Sequence, residues 1–193
     1  ANNGGFQGST FDAKNGEFYL KNGLVDVKEF SVAKTINGKD YTASAKGIVP
    51  LRALFANKGE ELNDYERVKL DVSLDQADLS ILPFLSNQID WALGPTKGKL
   101  EIKGTLAHPL IDGSVSLTDG AVKFKPLTVP VTEMTAQIDF NGDTMTVRDF
   151  SGKMGEGTYT GQGTLKMNGL TPSEYDFSLT ADKLDVQSSF FKG

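Results

Sequence analysis

Residues 19–27 read YLKNGLVDV and residues 116–124 read SLTDGAVKF. Each puts an apolar residue three positions before the Gly of an Asn-Gly or Asp-Gly pair, and apolar residues at the second and fourth positions after it. Such pairs accept positive φ and favour two-residue hairpin loops. With both pairs taken as loops, Leu20 faces Val25 and Phe18 faces Val27, while Leu117 faces Val122 and Val115 faces Phe124. Each hairpin then has one apolar side, with Tyr19, Asp26, Ser116 and Lys123 on the other.

The two glycines, Gly23 and Gly120, lie 97 positions apart, and the likeness continues through Phe30-Ser31-Val32 against Leu127-Thr128-Val129. DVSLDQADL (71–79) also matches DFSLTADKL (176–184) without gaps, at an offset of 105. The chain is therefore expected to hold two β-repeat units, residues 1–97 and 98–193, in one elongated domain. The closing LDVQSSFFKG would begin a further unit, so a piece of a larger protein is expected.

One-sided alternation recurs at Val68, Leu70, Val72 and Leu74, and at Leu100, Ile102 and Leu106. A third hairpin is expected at Asn141-Gly142, with Ala136, Ile138 and Phe140 sharing a face with Met145 and Val147. Only ILPFLSNQI (81–89) and LRALFANKG (51–59) are candidates for short helices, and Pro83 limits the first. An apolar sheet face without a helix to cover it has two solutions. The sheet folds onto itself as a closed sandwich or barrel, or it curls into a trough filled by an apolar ligand.

The 193 residues are 38% hydrophobic, enough for a real core. A net charge of −5 argues against nucleic acid as a partner. No apolar run is long enough for a membrane helix, and ANNGGFQGST lacks the layout of a signal peptide. The chain has no Cys and one His, His108, which removes thiolate chemistry and multi-histidine metal sites. His108 precedes Pro109 and is expected to be a loop residue. No G-x-S-x-G elbow is present.

Asp71, Asp75, Asp139 and Asp176 alternate with apolar residues, which assigns them to the solvated side of strands. SGKMGEGTYTGQG (151–163) is glycine-rich like a phosphate loop, but no G-K-[ST] follows, and its Thr and Tyr alternation suits a strand. Trp91 is expected to be a packing anchor. No catalytic residue, metal ligand or cofactor is assigned, and the chain is expected not to be an enzyme.

The series GKLEIKGTLAHPLIDGSVSLTDGAVKF (98–124) and LTVPVTEMTAQIDFNGDTMTVRDFSGKMGEGTYTGQGTLKMNG (127–169) resembles the repeated unit of the TamB family and the broader AsmA-like superfamily. The shared marks are Gly104-Thr105-Leu106, Pro109, Gly113, Leu117, Asp119-Gly120, Ile138, Phe140 and Asn141-Gly142. Gly155, Gly157, Gly161 and Gly163-Thr164-Leu165 complete them. LDVSLDQADLSILPFL (70–85) is similar to the strand and short helix that open such a unit, whereas residues 1–69 fit loosely.

The resemblance implies an all-β fold: a curled, U-shaped, taco-like elongated sheet of repeated hairpins, with an apolar concave face and one or two short helices. It implies a periplasmic segment of a protein anchored in the inner membrane of the Gram-negative envelope. There the groove would carry phospholipids between inner and outer membranes. The alternative it implies is assembly of outer-membrane β-barrel proteins with a TamA-like partner, with such proteins as clients. Phospholipid acyl chains would lie against Phe18, Leu20, Val25, Val27, Leu70, Val72, Leu100, Ile102, Val115, Leu117, Val122, Phe124, Ile138, Phe140, Met145 and Val147.

Burying an acyl chain is worth about 0.8 kcal/mol per methylene, so such binding needs no special side chain. About twelve strands at ~4.8 Å spacing make a trough roughly 55 Å long. If the face is open, Leu117→Glu or Val122→Glu is expected to spare the secondary structure; in a sealed core the same change would unfold it.

Overall fold

The computed structural model describes residues 3–6, 9–36, 39–52, 67–79, 89–105, 108–169 and 171–183. They form an antiparallel meander of β1 (Asn3–Phe6), β2 (Ser9–Lys21), β3 (Leu24–Ile36), β4 (Lys39–Pro50), β5 (Val68–Asp78), β6 (Ile89–Leu93), β7 (Pro95–Gly104), β8 (Pro109–Phe124), β9 (Val131–Gly142), β10 (Thr144–Met154), β11 (Gly157–Asn168) and β12 (Thr171–Asp182). The spatial order follows the chain, β1 to β5 and then β7 to β12, with β6 placed on β8 beyond the end of β7. The path does not close, so the sheet is open and curled rather than a sandwich or barrel.

Alternation decides the faces. One cross-strand row runs Phe18, Val27, Gly47, Leu70, Ile102, Ile111. A second runs Val72, Leu100, Gly113, Phe140, Met145, Leu165. Between them lies the polar row Lys46, Asp71, Glu101, Asp112, Asn141, which therefore points to the opposite side.

The curl has local causes. The alternation slips by one at Val27-Lys28-Glu29-Phe30, Leu117-Thr118-Asp119-Gly120 and Val147-Arg148-Asp149-Phe150, and each slip coincides with a register shift that returns the next apolar residue to the same face. These are β-bulges, which bend a strand and increase its twist. Four adjacent bends form a crease across the sheet. Gln76 of β5 (φ 55°), Gly94 between β6 and β7 (φ 131°), Asp119 of β8 (φ 53°) and Glu133 of β9 (φ 49°) mark it.

Asn22-Gly23 forms the expected two-residue turn, with Leu20 opposite Val25 and Phe18 opposite Val27. Asp119-Gly120 does not. It lies inside the continuous strand β8, where Leu117 pairs with Thr96 and Ala136, and Val115 with Gly98 and Ile138. Val122 pairs with Ala92 and Val131, and Phe124 with Ile89. The physical reason is Gly94: a Cβ there would lie 2.6 Å from the Gly120 Cα, so the kink between β6 and β7 nests against the bulge of β8. The third hairpin turns at Gly142-Asp143, one residue later than expected, with Phe140 opposite Met145.

The division at 97/98 falls inside β7, where Lys97 and Gly98 pair with Ser116 and Val115. The candidate helices at 51–59 and 81–89 lie almost wholly outside the described residues. Within them, Leu51 and Arg52 are helical, and Ile89 belongs to β6. Leu106 also lies outside the described residues.

Burial follows the crease. Ala77, Ala92, Thr96, Leu117, Val122 and Val131 are all under 10% exposed there. Among the described residues no large side chain is fully buried, and one small core cluster joins Val68 to Val49 and Leu70. The apolar face is packed along the crease and at Val27, Val68 and Val147, and half-open between them.

Candidate functional site: the apolar face

Every candidate lining residue falls on this one face, but in three environments. Val27, Leu117, Val122 and Val147 are buried at 3–8% exposure, three of them immediately before a bulge. They lie beside the bends and are not open surface, so Leu117→Glu and Val122→Glu probe the packed part of the face rather than the open part. Val25, Leu70, Val72, Leu100, Ile102, Val115, Phe124, Ile138, Phe140 and Met145 are half-buried and form the accessible floor. Phe18 and Leu20 are 52% and 69% exposed at the β2 end.

The sequence reading passed over residues that complete the face. Ile111 and Leu165 lie in the same rows, and Phe150, opposite Ala136 and Gly161, lies on the same face. The slipped alternation around each bulge was the available signal. The glycine-rich run 151–163 also belongs here. Phe150 pairs with Gly161, and Gly152 with Tyr159; the two rings lie 5.7 Å apart. A Cβ on Gly161 or Gly152 would come within 2.6 Å or 2.3 Å of the ring or hydroxyl opposite. Here glycine makes room for an aromatic ring laid across the neighbouring strand. Burial of Tyr159 pushes its hydroxyl up to about 12.

At one end of the strands the face dips into a cavity of about 170 Å³ lined by Ile111, Phe140, Met145, Leu165 and Met167, with Pro109 at its rim. The opposite, polar face carries an open cleft of about 800 Å³ flanked by Lys46, Asp71, Lys99, Glu101 and Asp112. Its charges are mixed, and Glu101 and Asp112 are paired with a neighbouring lysine. Lys103 Nζ reaches Glu101 at 2.9 Å and Asp112 at 3.2 Å. Asp112 accepts the Gly142 N–H at 3.0 Å, and that bond, with Lys103, holds its carboxyl below the usual range. Exposed pairs of this kind contribute little to stability.

Trp91, expected to anchor packing, is 38% exposed and sits beside Lys123 on the polar side. His108 is half-buried in the connection to β8, and its backbone N–H donates to Thr105 Oγ1 at 3.0 Å. Among the described residues no group of three or more His, Asp or Glu is placed to hold a metal ion, and no helix is long and apolar enough to cross a membrane.

No family model matches the chain, and no solved structure matches it. Two curated plant proteins do. The chain is 24% identical over 123 residues to the rice (Oryza sativa subsp. japonica) Protein SUBSTANDARD STARCH GRAIN 4, chloroplastic, across 63% of this chain. It is 22% identical over 130 residues to Protein TIC236, chloroplastic, of Arabidopsis thaliana, across 66% of this chain. In both cases the matched stretch is 6% of the relative's length. These relatives overturn the resemblance to TamB and AsmA-like proteins. With it go the inner-membrane anchor, the Gram-negative periplasm, phospholipid transport between bacterial membranes, and assembly of outer-membrane barrels with a TamA-like partner. The chain is similar, at low identity, to short stretches of two large chloroplast proteins.

Proposed function

We propose that this chain is a non-enzymatic binding segment of a large chloroplast protein, and that its apolar sheet face takes the acyl chains of a polar lipid. One observation carries the reading: the half-open rows that cross the sheet beside the crease. The row from Val72 through Leu100, Phe140 and Met145 to Leu165 crosses β5, β7, β8, β9, β10 and β11. At ~4.8 Å per strand it is roughly 24 Å long. Half of a ~30 Å bilayer core is about 15 Å, so one row is long enough for a whole acyl chain. Each methylene removed from water contributes about 0.8 kcal/mol, before the cost of ordering the chain. The polar rows on the other face keep the segment in water.

Titration of the intact chain with the fluorescent fatty acid cis-parinaric acid tests this. Saturable enhancement is expected, and the double variant Leu100→Glu, Ile138→Glu should lose it while its far-ultraviolet circular dichroism stays unchanged. Absence of enhancement in the unmodified chain, or unfolding of the double variant, contradicts the reading.

A further inference from the structure

The cavity on the apolar face differs in its chemistry from the open rows that lead to it. Its volume of about 170 Å³ lies between the starts of β8 and β10 and the ends of β9 and β11, against Ile111, Phe140, Met145, Leu165 and Met167. The row that begins at Val72 and Leu100 runs straight into it through Phe140, Met145 and Leu165. Polar groups around it are already engaged. The Gly142 N–H donates to Asp112 at 3.0 Å, the Met167 N–H to the Asp143 carbonyl at 2.8 Å, and the Thr144 hydroxyl to the Asp143 carboxylate at 2.9 Å.

Among the described residues no lysine or arginine lines the cavity, and its one charged lining residue, Asp143, is an anion. A carboxylate or hydroxyl entering it would lose water and gain no donor. Hydrocarbon meets no such cost. An apolar cavity of ~150 Å³ stays dry and takes a guest the size of benzene, about six carbons. Met145 and Met167 are unbranched and polarizable, so the walls adapt to an irregular guest.

We infer that this cavity is an end stop that seats the methyl end of the acyl chain, so that the chain lies along the row in one polarity, with its head toward β5. This rests on the acyl-binding reading above and fixes the direction of the bound chain. An extended acyl chain spans about 15 Å, half of a bilayer core, which is roughly three strand spacings. With its last carbons between Phe140 and Met145, the chain crosses the row at Gly113 of β8, an exposed position with no side chain, and reaches Leu100 and Val72. There the row is half-open, and a polar head stays in water.

Competition against cis-parinaric acid on the intact chain reads the polarity. Palmitic acid and α-hydroxypalmitic acid should displace the probe about equally. The isomer ω-hydroxypalmitic acid buries its hydroxyl in the cavity without a partner and should compete at least about tenfold more weakly. Met167→Thr places a hydroxyl in the cavity wall and should narrow that gap. Palmitic acid with a diazirine at its last carbon should label Met145 and Met167, and the same acid with the diazirine beside the carboxylate should label Val72 and Leu100. Equal competition by the two hydroxy acids, or the same labelled residues from both diazirine positions, overturns the end stop and leaves the acyl-binding reading standing. No saturable binding of either cis-parinaric or palmitic acid overturns both.

Discussion

The crease and the last strand use the same alternation to opposite ends. At the crease, Ala92 and Val122 are 1% and 3% exposed. On β12, Phe177 and Leu179 occupy continuations of the same apolar rows and are 44% and 56% exposed. The difference is not in residue type. It coincides with bulges on neighbouring strands, Gln76, Asp119 and Glu133 with the kink at Gly94, which bend the sheet there. Among the described residues β12 has one strand neighbour, β11.

Substitutions should separate the two regions in order of size. Gly94→Val adds a Cβ against the Gly120 backbone at a φ of 131° and should destabilise by about 3–5 kcal/mol, measured by urea unfolding. Leu117→Ala, at the first residue before the β8 bulge, should cost about 2–4 kcal/mol in the same assay. Tyr159 supplies a pH-dependent version. Its folded pKa is raised to about 12 from 10.0, so above pH 10 the unfolded chain loses this proton first. Stability should therefore fall between pH 10 and 12, and Tyr159→Phe should flatten that part of the profile. At the far end of the scale, Leu179→Ala on β12 should change unfolding by under about 0.5 kcal/mol.

Much of this was legible in the sequence. Period-two alternation gave the strands and the common face, and Asn22-Gly23 gave a true turn with its register. Asp119-Gly120 misled because a positive φ at Asp serves a hairpin and a bulge equally well; the choice depends on Gly94, far away in the chain. The 97-residue echo between Gly23 and Gly120 thus joins a turn to a bulge. Which apolar residues are packed and which are open was hidden for the same reason, since it depends on where adjacent bulges align. The apolar-polar-polar-apolar slips at Val27, Leu117 and Val147 were visible signals that the alternation had shifted.

Photo-crosslinking the intact chain with a diazirine-bearing fatty acid, followed by peptide mapping, tests the central claim most directly. Label is predicted on the half-open rows, at Val72, Leu100, Ile138 and Met145, and absent from Asp71, Lys99 and Asp139 on the reverse face. Label divided equally between the two faces, or no label on the apolar rows, would contradict it.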